Sequence, residues 1–219
     1  MPAFAGMTFR NLSVAVLVSV SLGPGNDRMS LPGRTQLHFD LFGWLLGAER
    51  IDSPNFDQRP AGTAVDLMVI HNISLPPGEF GGPGIVELFT NRLDPRAHPY
   101  YAGIHALTVS SHFLIRRAGK LIQFVSCDHR AWHAGVSSWE GRERCNDFSI
   151  GIELEGSDDL PFEAAQYATL ARLTGVIRTR YPVRGVMGHS NIAPGRKTDP
   201  GPHFEWRRYL DLIDKKIVA

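Results

Sequence analysis

His71 and His189 each close an apolar run, and Asp199 follows His189 in a loop rich in Gly and Pro. Imidazole and carboxylate are ordinary zinc ligands, and a catalytic zinc site takes three protein ligands and keeps a fourth position open. Two histidines and one carboxylate meet that requirement if the two strand ends converge. Zinc held in this way lowers the pKa of its water to about 7 and polarises a carbonyl. Amide hydrolysis then needs a base for the water, a charge for the oxyanion and a proton for the leaving amine. Glu153, in the middle of an alternating strand pattern, is the candidate base. Lys197 is two residues from Asp199, so an extended loop points both towards one side, and its ammonium suits the oxyanion. Plainer readings stay open at this level. Asp is a common helix cap, so Asp199 could serve the last helix, and an isolated histidine at a strand end is commonly a core residue with a backbone partner.

The elements that must position these groups are legible as patterns. Val65 to Asn72 is short, apolar and β-branched, which predicts a buried strand. Ser149 to Gly156 alternates: Ile150, Ile152 and Leu154 face one way, and Gly151, Glu153 and Glu155 the other, with Glu155 expected in solvent. Val183 to Met187 is a third strand leading to His189. Ser111 to Arg116 and Lys120 to Val125 flank Arg117-Ala118-Gly119 as a hairpin, with His112 a satisfied core residue. Ile85 to Phe89 starts a short helix. Asp159 is expected to cap a long helix from Pro161, with Phe162, Ala165, Leu170, Leu173, Val176 and Ile177 inward. Phe204 to Ile217 closes the chain as a helix, with Trp206, Leu210, Ile213 and Ile217 inward. Leu41 to Leu46 reads as a short arm packed on the body, Ser53 to Pro60 as a loop, and His98 and His105 as structural. Trp132-His133-Ala134-Gly135 suits a ligand wall or a packed loop. The order predicts one mixed α/β domain, a sheet flanked by helices.

A length of 219 residues fits a single domain with extensions, and a formal charge of +1 gives no reason to expect nucleic acid. Cys127 and Cys145 stand outside any CxxC pattern, which favours two reduced thiols over a disulfide scaffold. No Gly-x-Ser-x-Gly elbow is present, which weakens a serine-hydrolase reading. Arg10 precedes an apolar run, Leu12 to Leu22, suited to a signal-peptide core and too short to span a bilayer. That run contains Ser13, Ser19 and Ser21, and no Ala-x-Ala site follows. Residues 1–40 are read as an extension outside the fold, with Met29 as an alternative first residue, and 41–219 as the functional domain.

Longer stretches then carry a resemblance. Val69 to Gly82, Arg130 to Ser138, Gly141 to Gly156 and Gly188 to Pro202 resemble the AmpD family of N-acetylmuramoyl-L-alanine amidases, the match running from about Trp44 to Tyr209. The resemblance implies a mixed sheet flanked by helices, as in the wider peptidoglycan-recognition family. It implies one zinc on His71, His189 and Asp199, and catalytic roles for Glu153 and Lys197. The implied substrate is a cytoplasmic 1,6-anhydro-muropeptide, cut between the lactyl group and L-alanine in peptidoglycan recycling. In bacteria with an inducible β-lactamase, this also removes the inducing muropeptide. Asn72, Trp132, Arg144 and Ala193 fall at positions resembling substrate contacts. No nucleic acid or membrane partner is implied, and a monomer is expected. Three alternatives have distinct marks. A non-catalytic binding module would lack a ligand, a periplasmic enzyme on polymeric peptidoglycan would need residues 1–28 as an export signal, and a cysteine hydrolase would use Cys145.

Overall fold

A computed structural model describes residues 37–214. The readings for residues 1–28, Met29 and Ile217 fall outside that range. The body is a six-stranded mixed sheet built from β1 (Glu49–Arg50), β2 (Leu67–Ile73), β3 (Phe113–Ile115), β4 (Leu121–Gln123), β5 (Ser149–Glu155) and β6 (Gly185–Gly188). Their spatial order is β6-β2-β5-β3-β4-β1. β6, β2, β5 and β3 run parallel, and β4 returns antiparallel to β3 through the Gly119 turn, where φ is +82°. Four helices accompany the sheet: α1 (Gly84–Phe89), α2 (Ala164–Arg180), α3 (His189–Ile192) and α4 (Trp206–Asp214). This is the mixed α/β layer architecture expected.

Side-chain alternation along the central strands divides the core. Met68, Ile70, Ile150, Ile152 and Leu154 meet Leu170, Leu173 and Ile177 of α2 and Tyr209 and Ile213 of α4 on one face. On the other face Leu67 and Val69 meet Ala134, Phe148 and Ile192, and Leu114 and Ile122 meet Ile85 and Leu88 of α1. His71 and Glu153 continue this second face. It is covered by loops rather than by a long helix, so it has room for a site. Arg59 fastens those loops. Half-buried against them, its guanidinium donates to the carbonyls of Asn146 (3.0 Å), Asp147 (2.9 Å), Ser149 (2.9 Å) and Cys127 (3.2 Å).

Several local expectations are corrected. Glu155 is 1% exposed rather than solvent-facing. It pairs with Arg116 at 2.6 Å and accepts from the backbone N–H of Gly81 (2.7 Å) and Arg117 (3.1 Å). Asp159 does not cap α2: Glu163 precedes its first residue, and the Glu163 N–H donates to Gln166 Oε1 at 3.0 Å. Ala165 is exposed, and Gln166 and Tyr167 take the inward places. In α4, Leu210 points outward and Tyr209 is buried. Leu41 and Phe42 sit exposed in a turn between two short paired strands, His38–Phe39 and Leu45–Leu46. The loop from Ser53 contains a strand, Phe56–Gln58, paired with His129–Ala131.

Candidate metal and active site

Three adjacent parallel strands bring the nominated groups together. In the β2–β5 register Glu153 stands opposite His71. β6 lies on the other side of β2, and His189 follows it as the first residue of α3. The chain then loops back, and the Ser190 N–H donates to the Asp199 carbonyl at 2.9 Å. A Cβ on Gly188 would lie 2.7 Å from Pro200 Cδ. Glycine at that position lets the returning loop close on the strand end and present Asp199.

His71 Nδ1 lies 3.0 Å from His189 Nδ1 and 3.0 Å from Asp199 Oδ2, and His189 Nδ1 lies 3.1 Å from the same Asp199 oxygen. Both histidines are buried. His189 Nε2 is 3.0 Å from the Ala134 carbonyl, which can only accept. The His189 proton therefore sits on Nε2, and Nδ1 offers a lone pair. Burial pulls the His71 pKa down to about 4, against the raising effect of Asp199, so this ring is neutral at pH 7. Burial would raise the Asp199 carboxyl, but the contacts with His189 and His71 outweigh it and hold the group below its usual range. Two imidazole nitrogens and a carboxylate oxygen converging at about 3 Å make a ligand set that one cation would hold together. The residues present therefore fit a metal ion, and among the described residues they form a three-ligand group.

The ligand group opens into a cavity of about 650 Å³, whose lining also includes Asn72, Trp132, Glu153 and Lys197. Glu153 is 7% exposed, and its Oε2 is buried without a hydrogen-bond partner. Burial, and secondarily Asp199, pushes its pKa well above the usual carboxylate range, with Lys197 opposing. A carboxyl with a raised pKa that lines a cavity is suited to accept and return a proton. Asn72 is held by donating to Asp158 at 2.7 Å, and the backbone N–H of Trp132 donates to Ser110 Oγ at 3.0 Å.

Seven of the nine nominated residues thus share one cavity. Arg144 and Ala193 line a neighbouring one of about 530 Å³. Arg196 borders both and is anchored to the carbonyls of Ala134 (2.6 Å) and Val136 (2.7 Å). Arg196 and Asp158 escaped the sequence reading; the one signal for Arg196 is its place beside Lys197. Cys127 and Cys145 are buried free thiols, and burial raises the pKa of each. A buried thiol held protonated is a poor nucleophile, which removes the cysteine-hydrolase alternative.

The family described as N-acetylmuramoyl-L-alanine amidase matches residues 61–202. The 1,6-anhydro-N-acetylmuramyl-L-alanine amidase AmpD of Citrobacter freundii is 60% identical over 173 residues, covering 78% of this chain and 92% of that protein. A crystal structure of a selenomethionine derivative of AmpD superposes with a TM-score of 0.77 at 60% identity, covering 78% of this chain and 97% of that one. The Escherichia coli amidase AmiD, solved with its substrate anhydro-N-acetylmuramic acid-L-Ala-D-γ-Glu-L-Lys, superposes with a TM-score of 0.51 at 29% identity, covering 81% of this chain and 65% of that one.

Proposed function

The chain belongs to the N-acetylmuramoyl-L-alanine amidase family and is such an amidase, and we propose that it is zinc-dependent and acts on 1,6-anhydro-muropeptides. The observation that carries the reading is the convergence of His71 Nδ1, His189 Nδ1 and Asp199 Oδ2 beside the unpaired Glu153 oxygen. The substrate follows from the activity named for the AmpD relatives. The bond cut is the amide between the lactyl group of anhydro-N-acetylmuramic acid and L-alanine. Such a reaction serves cell-wall recycling in the cytoplasm, and removal of the same muropeptide would quiet an inducible β-lactamase. No helix among the described residues is long and apolar enough to cross a membrane.

His71, His189 and Asp199 would hold the metal. Bound zinc supplies Lewis acidity towards water and the amide carbonyl. Glu153 Oε2 takes the proton from the attacking water, and the Lys197 ammonium faces the oxygen that gains charge. Glu153 then returns the proton to the departing alanine nitrogen. Trp132 offers a flat face to a sugar, Asn72 a held amide, and Arg144 with Ala193 an adjoining place for stem-peptide carboxylates. The domain proposed for residues 41–219 also takes in Leu37 and Phe39, which pack on the core; residues further upstream are assigned no part in the reaction.

Mass spectrometry of the full chain incubated with anhydro-muropeptide, with and without a zinc chelator, tests the reading. Free stem peptide formed only without chelator is expected. Cleavage that survives chelation, or cleavage of polymeric peptidoglycan alone, would overturn the metal or the substrate respectively.

A further inference from the structure

We propose that His133 is a positioning residue: it fixes the tautomer and orientation of His71, and Ser149 and Gly151 hold it in place to do so. The inference rests on the metal reading of His71, His189 and Asp199.

Ser149 Oγ lies 2.6 Å from the Cys145 carbonyl, which can only accept, so the hydroxyl donates there. Its lone pairs are left for His133 Nε2 at 3.2 Å. A neutral imidazole has one N–H, so a proton on His133 Nε2 leaves Nδ1 as an acceptor. That Nδ1 lies 2.9 Å from His71 Nε2, which must then carry the His71 proton. The Nδ1 lone pair of His71 is thereby aimed at the point where His189 Nδ1 and Asp199 Oδ2 converge, each 3.0 Å away. One backbone carbonyl thus sets the direction of two successive rings. His189 is set independently by the Ala134 carbonyl.

The surroundings admit this arrangement and little else. Ser149, Gly151 and Glu153 are successive residues on one face of β5, and the His133 ring lies over Gly151. A Cβ there would stand 2.5 Å from His133 Cγ and 2.7 Å from Nδ1, so only glycine leaves room. The Asn146 side chain accepts from the backbone N–H groups of His133 (3.1 Å) and Ala134 (2.8 Å) and fixes the loop. The His133 ring meets His71 edge-on, at an interplanar angle of 86°.

Ring-nitrogen NMR of the zinc-loaded full chain should find His133 protonated on Nε2 and bare on Nδ1, with a slowly exchanging Nε2 proton on His71. A proton on His133 Nδ1 would overturn the inference, and this measurement needs no variant. Zinc affinity, read by competition with a chromophoric chelator, should fall about 10–100-fold in His133→Phe. His133→Asn, whose side-chain oxygen comes near the lost Nδ1, should recover most of it, which a purely packing role would not predict. Unchanged affinity in His133→Phe would also overturn the inference. Failure of the parent chain to hold zinc would sink the metal reading instead.

Discussion

Glu153 should make the folded protein less stable at the pH where it works. Its Oε2 is buried and unpartnered, and its pKa is raised well above the ordinary value chiefly by burial, then by Asp199. In the unfolded chain the same carboxyl ionises near 4.3. A raised folded pKa means that the native state holds the proton more tightly. This group's contribution to stability is therefore full below the unfolded pKa and is lost as pH rises through the folded one. Above that pH the fold carries a buried carboxylate with an unsatisfied oxygen, which costs about 1–3 kcal/mol or more. Glu153→Gln keeps the shape and cannot ionise. Metal-free Glu153→Gln should match the parent near pH 4 and exceed it by about 1–3 kcal/mol at pH 8, a rise in Tm of roughly 2–12 °C for a chain of this size. Zinc should narrow the gap, because a neighbouring cation stabilises the carboxylate. Thermal unfolding across pH in the presence of chelator is the assay, with turnover lost in the variant at every pH. A gap that does not change with pH, or a variant less stable than its parent at pH 8, would refute the assignment of Glu153 as a strained buried base.

Three further outcomes follow from the same geometry. His189→Ala and Asp199→Ala should each reduce zinc content from one per chain to background and abolish turnover with it, which elemental analysis beside the cleavage assay will check. Lys197→Met should leave residual turnover whose acid limb in kcat/KM lies at higher pH, because the Lys197 charge lowers the Glu153 pKa; an unmoved limb would separate the two residues. Arg59→Met should strand several buried carbonyls and cost about 3 kcal/mol, a Tm loss of roughly 6–12 °C by calorimetry.

The central strands, the hairpin and the long helix are legible because burial on a sheet or helix imposes a period on the sequence. The failures share a cause, which is a partner distant in the chain. The alternation correctly puts Glu155 on the Glu153 face. What it lacks is Arg116, from a different strand end, which makes burial tolerable there. A cap at Asp159 is chemically reasonable, but the helix starts later, where Gln166 can both close its first turn and reach the carbonyls of Ile115 and Glu155. Leu210 and Tyr209 are one residue apart, and helical spacing from Trp206 admits either; contact with Phe204 and Thr174 decides for Tyr209. Trp132-His133 suits a ligand wall or a packed loop by composition. Only the packing reveals that both residues line the cavity and that His133 also lies against His71.

The site itself depends on strand register, which no local pattern encodes. Glu153 and His71 line one cavity only because β5 pairs with β2 so that these two residues are opposite each other. A slip of one residue would turn Glu153 to the helix face, against α2 and α4, and send Ile150, Ile152 and Leu154 to the cavity side. Met68 and Ile70 of β2 and Ile150, Ile152 and Leu154 of β5 pack against α2 and α4, and that apolar contact penalises such a slip. Register is thus fixed by the face that does no chemistry. The opposite face, relieved of that task, can carry Ser149, Gly151, Glu153 and His71 in succession. The parallel arrangement of β6, β2 and β5 adds His189 at the same end. Core packing against the two helices therefore sets the relative placement of the proposed site groups, and the loop closing over Gly188 need supply only Asp199 and Lys197.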